Sequence, residues 1–137
     1  MPFNLSDKKI LLADDSTIMR MVISLHLKRF TGAAITEAAN GQEALVKLAQ
    51  QKFDLLLTDI NMPEMNGIEL LRHVRMGLKS DIPIVIITTK GEVKDRELGM
   101  SLGANSYITK PVSVKDLIRA VVTLLETKPA RPGWSGP

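Results

Sequence analysis

Residues Phe53–Asp59 (FDLLLTD) and Ile82–Thr88 (IPIVIIT) are two short, nearly continuous apolar runs, and each ends in a polar side chain. Runs of this kind are typical of strands that are buried on both faces of a parallel sheet. They therefore predict an α/β protein whose sheet is covered by helices on both sides.

Three further short segments are predicted as strands, namely Lys8–Ala13, Ala34–Ala38 and Ala104–Ile108. The segments between the strands carry apolar residues at helical spacing, as on amphipathic helices. These stripes comprise Ile18, Met21, Val22 and Leu25; Ala44, Leu45 and Leu48; Ile68, Leu71 and Val74; and Val114, Leu117, Ile118, Val121 and Leu125. The remaining segment, Gly91–Ser101 (GEVKDRELGMS), is mostly polar, which predicts a helix that packs through a narrow face.

Strand and helix alternate five times along the chain, and this alternation predicts a three-layer α/β domain with right-handed crossovers. The expected fold is a five-stranded parallel sheet with helices on both faces, a flavodoxin-like (βα)5 arrangement. The pattern leaves the strand order open. In an open sheet of this kind, ligands bind at the carboxyl ends of the strands, beside the point where the winding direction reverses.

The composition fits one domain, because 137 residues with 45% apolar content can form a single core. The domain is expected to span residues 1–127, and the Pro- and Gly-rich segment 128–137 (KPARPGWSGP) is expected to be a disordered tail or a linker. The net charge is +3 and the basic residues are scattered, which argues against nucleic-acid binding.

The chain has no cysteine, so disulfides and thiolate metal sites are excluded. No apolar run approaches the roughly 18 residues of a membrane-spanning helix. Residues 1–8 also lack a hydrophobic signal region. These features predict a cytoplasmic protein with no membrane partner.

Polar side chains stand where the predicted strands end. Asp14 and Asp15 follow the first strand, Asp59 ends the third, and Thr88 ends the fourth. Three carboxylates that converge would repel one another and raise at least one pKa, so such a cluster usually implies a bound cation. Oxygen ligands without His or Cys favour Mg²⁺, or Mn²⁺, over zinc.

Lys110, shortly after the fifth strand, completes this set. A lysine opposite the carboxylates can balance their charge and hold a phosphoryl oxygen, and the Thr88 hydroxyl can donate to another. An acceptor carboxylate, a divalent ion, a lysine and a hydroxyl are what in-line phosphoryl transfer requires, because catalysis there is mostly positioning and charge neutralisation.

At these residues the chain resembles the response-regulator receiver family, and within it the stand-alone chemotaxis regulators most closely. The resemblance runs from about residue 8 to residue 126. The ordered set that carries it is specific, although each member alone is weak. It comprises Ala13, Asp14, Asp15 and Ser16; Thr58, Asp59, Ile60, Asn61, Met62, Pro63, Glu64, Met65, Asn66 and Gly67; Ile87, Thr88 and Thr89; and Gly103, Ala104, Tyr107, Lys110 and Pro111.

The resemblance implies a receiver domain in which Asp59 is the phosphoacceptor. Asp14 and Asp15 would hold Mg²⁺, Asp15 directly and Asp14 largely through water, and the backbone carbonyl of Asn61 would be a further ligand. Lys110 would pair with the phosphoryl oxygens, and its peptide bond to the following proline would be cis.

Thr88 and Tyr107 resemble the switch pair of the family. The resemblance implies that phosphorylation draws the threonine hydroxyl to the phosphoryl group and turns the aromatic ring inward. The face made by helix four, strand five and helix five would then change, and partners would bind that face. Thr89 stands where the family most often has Ala or Gly, while Asn61 and Lys90 would tune how fast water removes the phosphoryl group.

The implied partners are a sensor histidine kinase or histidine phosphotransfer protein and a downstream protein target, with chemotaxis the leading pathway by resemblance. The protein would be a switch with slow autodephosphorylation, and a monomer or a phosphorylation-dependent dimer. A receiver-like module that binds partners without phosphorylation is an alternative, against which the complete set of acidic, hydroxyl and lysine residues argues.

Two rival functions use similar folds. A phosphohydrolase with an Asp nucleophile would need a second Asp two residues later, where this chain has Asn61, which cannot exchange a proton. A mononucleotide binder would need a Gly, Ser and Thr loop after the first strand, where Asp14 and Asp15 would repel a phosphate. Taken singly, the acidic pair also fits a helix cap, and Lys110 fits a surface lysine.

Overall fold

The computed structural model describes residues 3–126, and within this range five strands and five helices alternate along the chain. The elements are β1 Lys9–Ala13, α1 Thr17–Thr31, β2 Ala34–Ala38, α2 Gly41–Gln50, β3 Leu55–Asp59, α3 Gly67–Arg72 with a π-helical turn His73–Gly77, β4 Ile84–Thr88, α4 Val93–Ser101, β5 Ser106–Thr109 and α5 Val114–Glu126. The expected tail, 128–137, lies outside the described residues. The helices in the described part of the chain are too short or too polar to cross a membrane.

All neighbouring strands are parallel, and their order across the sheet is β2-β1-β3-β4-β5. One hydrophobic core contains buried side chains of α2 and α3, and the second contains those of α1 and α5. The predicted fold is confirmed: a five-stranded parallel sheet is covered by helices on both faces.

The central strands β3 and β4 are buried along their whole length. Successive side chains alternate between the two cores: Leu56 joins the core with α3, while Leu55 and Leu57 join the core with α1 and α5. The β4 strand begins two residues later than predicted. Pro83, just before it, has no N–H for the ladder, although its carbonyl still accepts a hydrogen bond from the Leu56 N–H at 2.9 Å.

The α1 helix is present as predicted, but the apolar stripe that indicated it faces solvent. The side chains of this stripe are 41–69% exposed, and they are Ile18, Met21, Val22 and Leu25. The face toward the sheet carries Ile23, Ser24, Leu27 and Thr31. Its two hydroxyls bond locally, that of Thr31 to the Leu27 carbonyl and that of Ser24 to Glu37, so they can be buried at low cost.

The α4 helix packs through a narrow face, as its polar sequence predicts. Gly99 is its one buried residue. A Cβ at Gly99 would lie 2.9 Å from the Ile86 side chain and 3.2 Å from that of Ile68. The helix can therefore pack closely against the sheet because Gly99 has no side chain. Most of the remaining surface of α4 is exposed.

The β5 strand was predicted over Ala104–Ile108 and is observed two residues later at its start and one later at its end. Gly103 adopts a left-handed conformation with φ of 116°, which continues the turn after α4. Asn105 then closes the turn through its N–H and its side-chain oxygen, each 2.8 Å from a backbone atom of Ile84. Regular pairing starts only after this turn.

Candidate functional site

The predicted site residues lie at the carboxyl edge of the sheet. The chain runs from β1 to β2 on one side of β1, whereas β3 pairs with β1 on the other side. The winding direction therefore reverses at the crevice between β1 and β3, where a ligand site is expected in such sheets. Asp14 and Asp15 follow β1, and Asp59 is the last residue of β3.

The three aspartates converge, as the sequence predicts. Asp14, Asp15 and Asp59 each offer a carboxylate oxygen, and these oxygens all lie within 4.8 Å of one another. Asp14 and Asp59 are buried, while Asp15 is exposed. The cluster is therefore open to solvent on one side and closed by the sheet on the other.

Asp14 has one satisfied and one unsatisfied oxygen. Its Oδ1 accepts a hydrogen bond from the Ser16 N–H at 2.8 Å, whereas Oδ2 is buried and has no partner among the described residues. Burial raises the pKa of the Asp14 carboxyl, and the charge of Asp59 raises it further, against the lowering effect of the Ser16 hydrogen bond. A buried carboxylate oxygen without a donor is suited to a cation.

The Asp59 carboxylate is held on both oxygens. Oδ2 accepts a hydrogen bond from Lys110 Nζ at 2.9 Å, and Oδ1 accepts one from the Asn61 N–H at 3.3 Å. Burial raises the pKa of Asp59, and the hydrogen bond and charge of Lys110 only partly offset this. The Lys110–Pro111 peptide bond is cis, as the resemblance implies.

Gly67 lets the start of α3 approach the end of β3. A Cβ at Gly67 would lie 2.2 Å from the backbone oxygen of Asp59 and 2.9 Å from the Cα of Ile60. The Gly67 N–H donates to the Ile60 carbonyl at 2.8 Å. A side chain at this position would therefore collide with the backbone of Asp59 and Ile60.

Thr88 lies at the end of β4 and is buried. Its hydroxyl donates to Glu92 Oε1 at 3.1 Å, and the Thr89 carbonyl oxygen is also within reach at 3.2 Å. The Thr89 N–H donates to the same Glu92 oxygen at 2.7 Å, and the side-chain amide of Asn61 donates to Glu92 Oε2. Glu92 is thus a fourth carboxylate at the site, which the sequence did not identify because it belongs to the polar segment before α4.

Tyr107 lies on β5, next to β4, and pairs in register with Ile86. Its ring is 43% exposed, and the guanidinium of Arg96 on α4 lies 4.7 Å from the ring centre. The two residues of the expected switch pair therefore occupy adjacent strands, with Thr88 buried and Tyr107 turned toward α4.

Arg20 supports the acidic loop and was also missed from sequence. Its guanidinium donates to the Asp14 backbone carbonyl at 2.6 Å and forms an ion pair with Glu37 at 3.0 Å. The cap of α1 is Ser16, whose side chain accepts from the Met19 N–H. The simple capping role considered for the acidic pair therefore belongs to its neighbour.

The residues present fit a hard divalent cation. All three converging side chains supply carboxylate oxygens, which Mg²⁺ prefers, and one buried oxygen has no other partner in the described part of the chain. Lys110 balances part of the negative charge through its ion pair with Asp59, but it does not bond to Oδ2 of Asp14.

The comparisons with known proteins agree with this geometry. The sequence profile of the response regulator receiver domain matches residues 10–122. Chemotaxis protein CheY1 of Helicobacter pylori is 39% identical over 121 residues, which cover 87% of this chain and 98% of that protein. Transcriptional regulatory protein ResD of Bacillus subtilis is 38% identical over 120 residues, which cover 88% of this chain and 49% of ResD. The chain thus spans about half the length of several curated relatives that it matches.

Solved structures give the same result. Chemotaxis response regulator CheY4 of Vibrio cholerae superimposes with a TM-score of 0.79 at 33% identity and covers 86% of this chain and 98% of that one. A response regulator from Chloroflexus aurantiacus superimposes with a TM-score of 0.81 at 29% identity. The superposition covers 87% of this chain and 98% of that one. With the sequence match over most of its length, the chain belongs to the response regulator receiver domain family.

Proposed function

We propose that this protein takes a phosphoryl group from a histidine kinase or a histidine phosphotransfer protein onto Asp59, in a Mg²⁺-dependent reaction in the cytoplasm. The observation that carries the proposal is the position of Asp59. Its carboxylate lies between an acidic pair suited to a metal and the ammonium group of Lys110.

Asp59 acts as the nucleophile. An oxygen of its carboxylate forms a bond to phosphorus while the bond from phosphorus to the donor nitrogen breaks, and the donor imidazole keeps the electron pair. Asp14, Asp15 and Asp59 would hold Mg²⁺ together with the backbone carbonyl of Asn61. When bound, Mg²⁺ neutralises charge on the phosphoryl oxygens and lets an anionic donor approach three carboxylates.

Lys110 orients the reaction and holds its product. Its ammonium group already contacts Asp59, and it can hold a phosphoryl oxygen in the product without leaving the site. Burial alone would lower the pKa of Lys110, but the hydrogen bond and charge of Asp59 outweigh it and raise the pKa. Lys110 therefore stays charged at neutral pH.

The signal passes from Thr88 to the face formed by α4, β5 and α5. The Thr88 hydroxyl would turn to the phosphoryl group, and Tyr107 would turn inward from its exposed position beside Arg96. Support for this switch comes from the placement of Thr88 and Tyr107 on adjacent strands and from the small buried face of α4. A downstream protein would then bind the changed face.

The proposed pathway is chemotaxis or a related two-component pathway. CheY1 of Helicobacter pylori supports chemotaxis, because the match covers nearly all of that protein. The match to ResD keeps transcriptional control as the second candidate, with this chain corresponding to about half of such a regulator. The protein would act as a monomer or as a dimer formed on phosphorylation.

We propose a switch and not a turnover enzyme. Asn61, two residues after Asp59, donates its N–H to the acceptor and cannot relay a proton to the leaving group as a second Asp would. Steady multiple turnover of acetyl phosphate or p-nitrophenyl phosphate would contradict this part of the proposal.

The test is labelling by radioactive acetyl phosphate with and without Mg²⁺. The protein should be labelled only with Mg²⁺, Asp59→Asn should abolish labelling, and Asp7→Asn, an exposed matched control, should leave it unchanged. Labelling of Asp59→Asn would refute the acceptor assignment. Fluoroberyllate with Mg²⁺ should shift the NMR signals of Tyr107 and of α4, and unchanged spectra would refute the switch.

A further inference from the structure

The carboxylate of Glu92 occupies a small anion-binding site at the edge of the sheet. The Thr88 hydroxyl and the Thr89 N–H converge on its Oε1 at 3.1 and 2.7 Å, and the side-chain amide of Asn61 donates to its Oε2. A hydroxyl, a backbone N–H and an amide that converge in this way are donors suited to any small anion.

These donors lie beside the phosphoacceptor. Asp59 pairs in register with Ile87, so Thr88 is one residue beyond the acceptor on the neighbouring strand. The backbone of Asn61 already donates to Asp59, and the backbone N–H of Lys110 donates to the Thr88 carbonyl at 2.7 Å.

A structural role as the cap of α4 does not account for this geometry. Glu92 immediately precedes α4, yet its side chain makes no capping hydrogen bond to that helix. The carboxylate is turned the other way, toward Thr88, Thr89 and Asn61. Two of these contacts lie within the turn from Thr88 to Glu92, where the Glu92 N–H also donates to the Thr89 carbonyl at 3.1 Å, and the third joins this turn to Asn61 beside the acceptor.

We propose that Glu92 is an internal anion that holds these donors while Asp59 is unphosphorylated, and that a phosphoryl group on Asp59 displaces it. The inference rests on the proposed function. A phosphoryl group brings negative charge close to the Glu92 carboxylate and competes for the Thr88 hydroxyl, so the two anions repel and cannot share the same donors.

Displacement of Glu92 would reach the output face through α4. The Glu92 carbonyl accepts the Arg96 N–H at 2.9 Å, and the Arg96 guanidinium covers the Tyr107 ring. A shift of Glu92 would therefore move the acceptor of this hydrogen bond, which belongs to the first turn of α4. The same event would release Thr88 and loosen the contact that holds Tyr107 outward.

The test compares fluoroberyllate affinity, measured with Mg²⁺ by titration, for the full chain and two variants. Glu92→Ala removes the competing carboxylate and should bind fluoroberyllate about tenfold more tightly, the scale of one charged hydrogen bond. Glu92→Gln, which keeps the shape and loses the charge, should also bind more tightly. Glu97→Gln, an exposed position on α4 with the same charge change, should stay within about twofold of the wild type.

The outcomes separate this inference from the proposed function. If the wild type binds fluoroberyllate and both Glu92 variants bind it equally well or more weakly, the internal-anion role is wrong while the receiver function stands. An equal gain in fluoroberyllate affinity in Glu97→Gln would show that the effect comes from net charge, and this result would also overturn the internal-anion role. If the wild type does not bind fluoroberyllate with Mg²⁺, the proposed function and this inference fail together.

Discussion

The ammonium nitrogen of Lys110 lies 2.9 Å from Oδ2 of Asp59, although Asp59 ends β3, Lys110 follows β5, and β4 lies between these two strands. Asp59 is almost fully buried, whereas about a quarter of the Lys110 side chain is exposed. The lysine thus enters the acidic cluster from its open side. This contact supplies a fixed positive charge at the atom that we propose accepts phosphorus.

Replacing Lys110 tests that charge. In Lys110→Ala, the largest effects that offset the burial of Asp59 are lost, so the pKa of Asp59 should rise further above its usual value. Labelling by acetyl phosphate should slow by at least about tenfold, the effect of roughly 1.4 kcal/mol in the transition state. Carboxyl ¹³C NMR titration and labelling kinetics measure the two effects. The exposed Lys115→Ala is the matched control, and an unchanged Asp59 pKa would contradict the prediction.

Asp14→Asn should make the metal-free protein more stable. Burial and the neighbouring Asp59 charge disfavour the ionised Asp14, so removal of its charge should raise the free energy of unfolding by about 1 kcal/mol. The same variant should lose most of the stabilisation that Mg²⁺ gives the wild type. Urea unfolding with and without Mg²⁺ measures both effects, with Asp7→Asn as the control. A less stable variant that Mg²⁺ still stabilises fully would argue against a metal role for Asp14.

The two buried aspartates should also determine how stability depends on pH without Mg²⁺. The pKa of Asp14 and that of Asp59 are raised by folding, so the folded state holds these protons more tightly than the unfolded state. Their contribution to stability is present at low pH and is lost as pH rises from about 4, the usual carboxyl pKa, through the raised values. As pH rises, the wild type should therefore lose stability relative to the double variant Asp14→Asn, Asp59→Asn. A difference that is constant with pH would exclude this coupling.

Gly67→Ala should disturb the acceptor through its backbone. The new Cβ would meet the Asp59 carbonyl oxygen at 2.2 Å, so β3 and α3 must separate, at a cost of about 2 kcal/mol or more. Gly77→Ala is the matched control, because a Cβ there meets no atom within 4 Å and should be neutral or stabilising by about 0.5–1 kcal/mol. Urea unfolding of the two variants measures the contrast. Equal stability of both would show that Gly67 is not needed for this close approach.

Much of the fold follows from local sequence patterns. The strand β2 was predicted with the bounds that the structure shows, and β3 and β4 were predicted to within two residues at their starts. For β3 and β4 the signal is an apolar run bounded by polar residues, which is a local property of a strand buried on both faces. The exact ends of a strand depend on its hydrogen bonds to the neighbouring strand. Pro83 has no N–H to donate, and β4 begins only at the next residue.

The orientation of α1 shows where local pattern fails. The apolar row with Ile18 and Leu25 has the correct helical spacing but points to solvent. The opposite face includes Ser24 and Thr31, whose hydroxyls are satisfied by Glu37 and by a carbonyl of the same helix. Periodicity identified the helix, but the neighbouring elements selected the buried face.

The sequence by itself determined the alternation of strands and helices and the chemical kinds of residue at the strand ends, because burial period and residue type are local properties. Only the tertiary structure decided the strand order, the inward face of α1 and the meeting of Glu92 with Asn61. The last contact joins residues 31 positions apart, and the Asp59–Lys110 contact joins residues 51 apart. Such contacts depend on how the strands pair and the helices pack, and no short-range pattern contains that information.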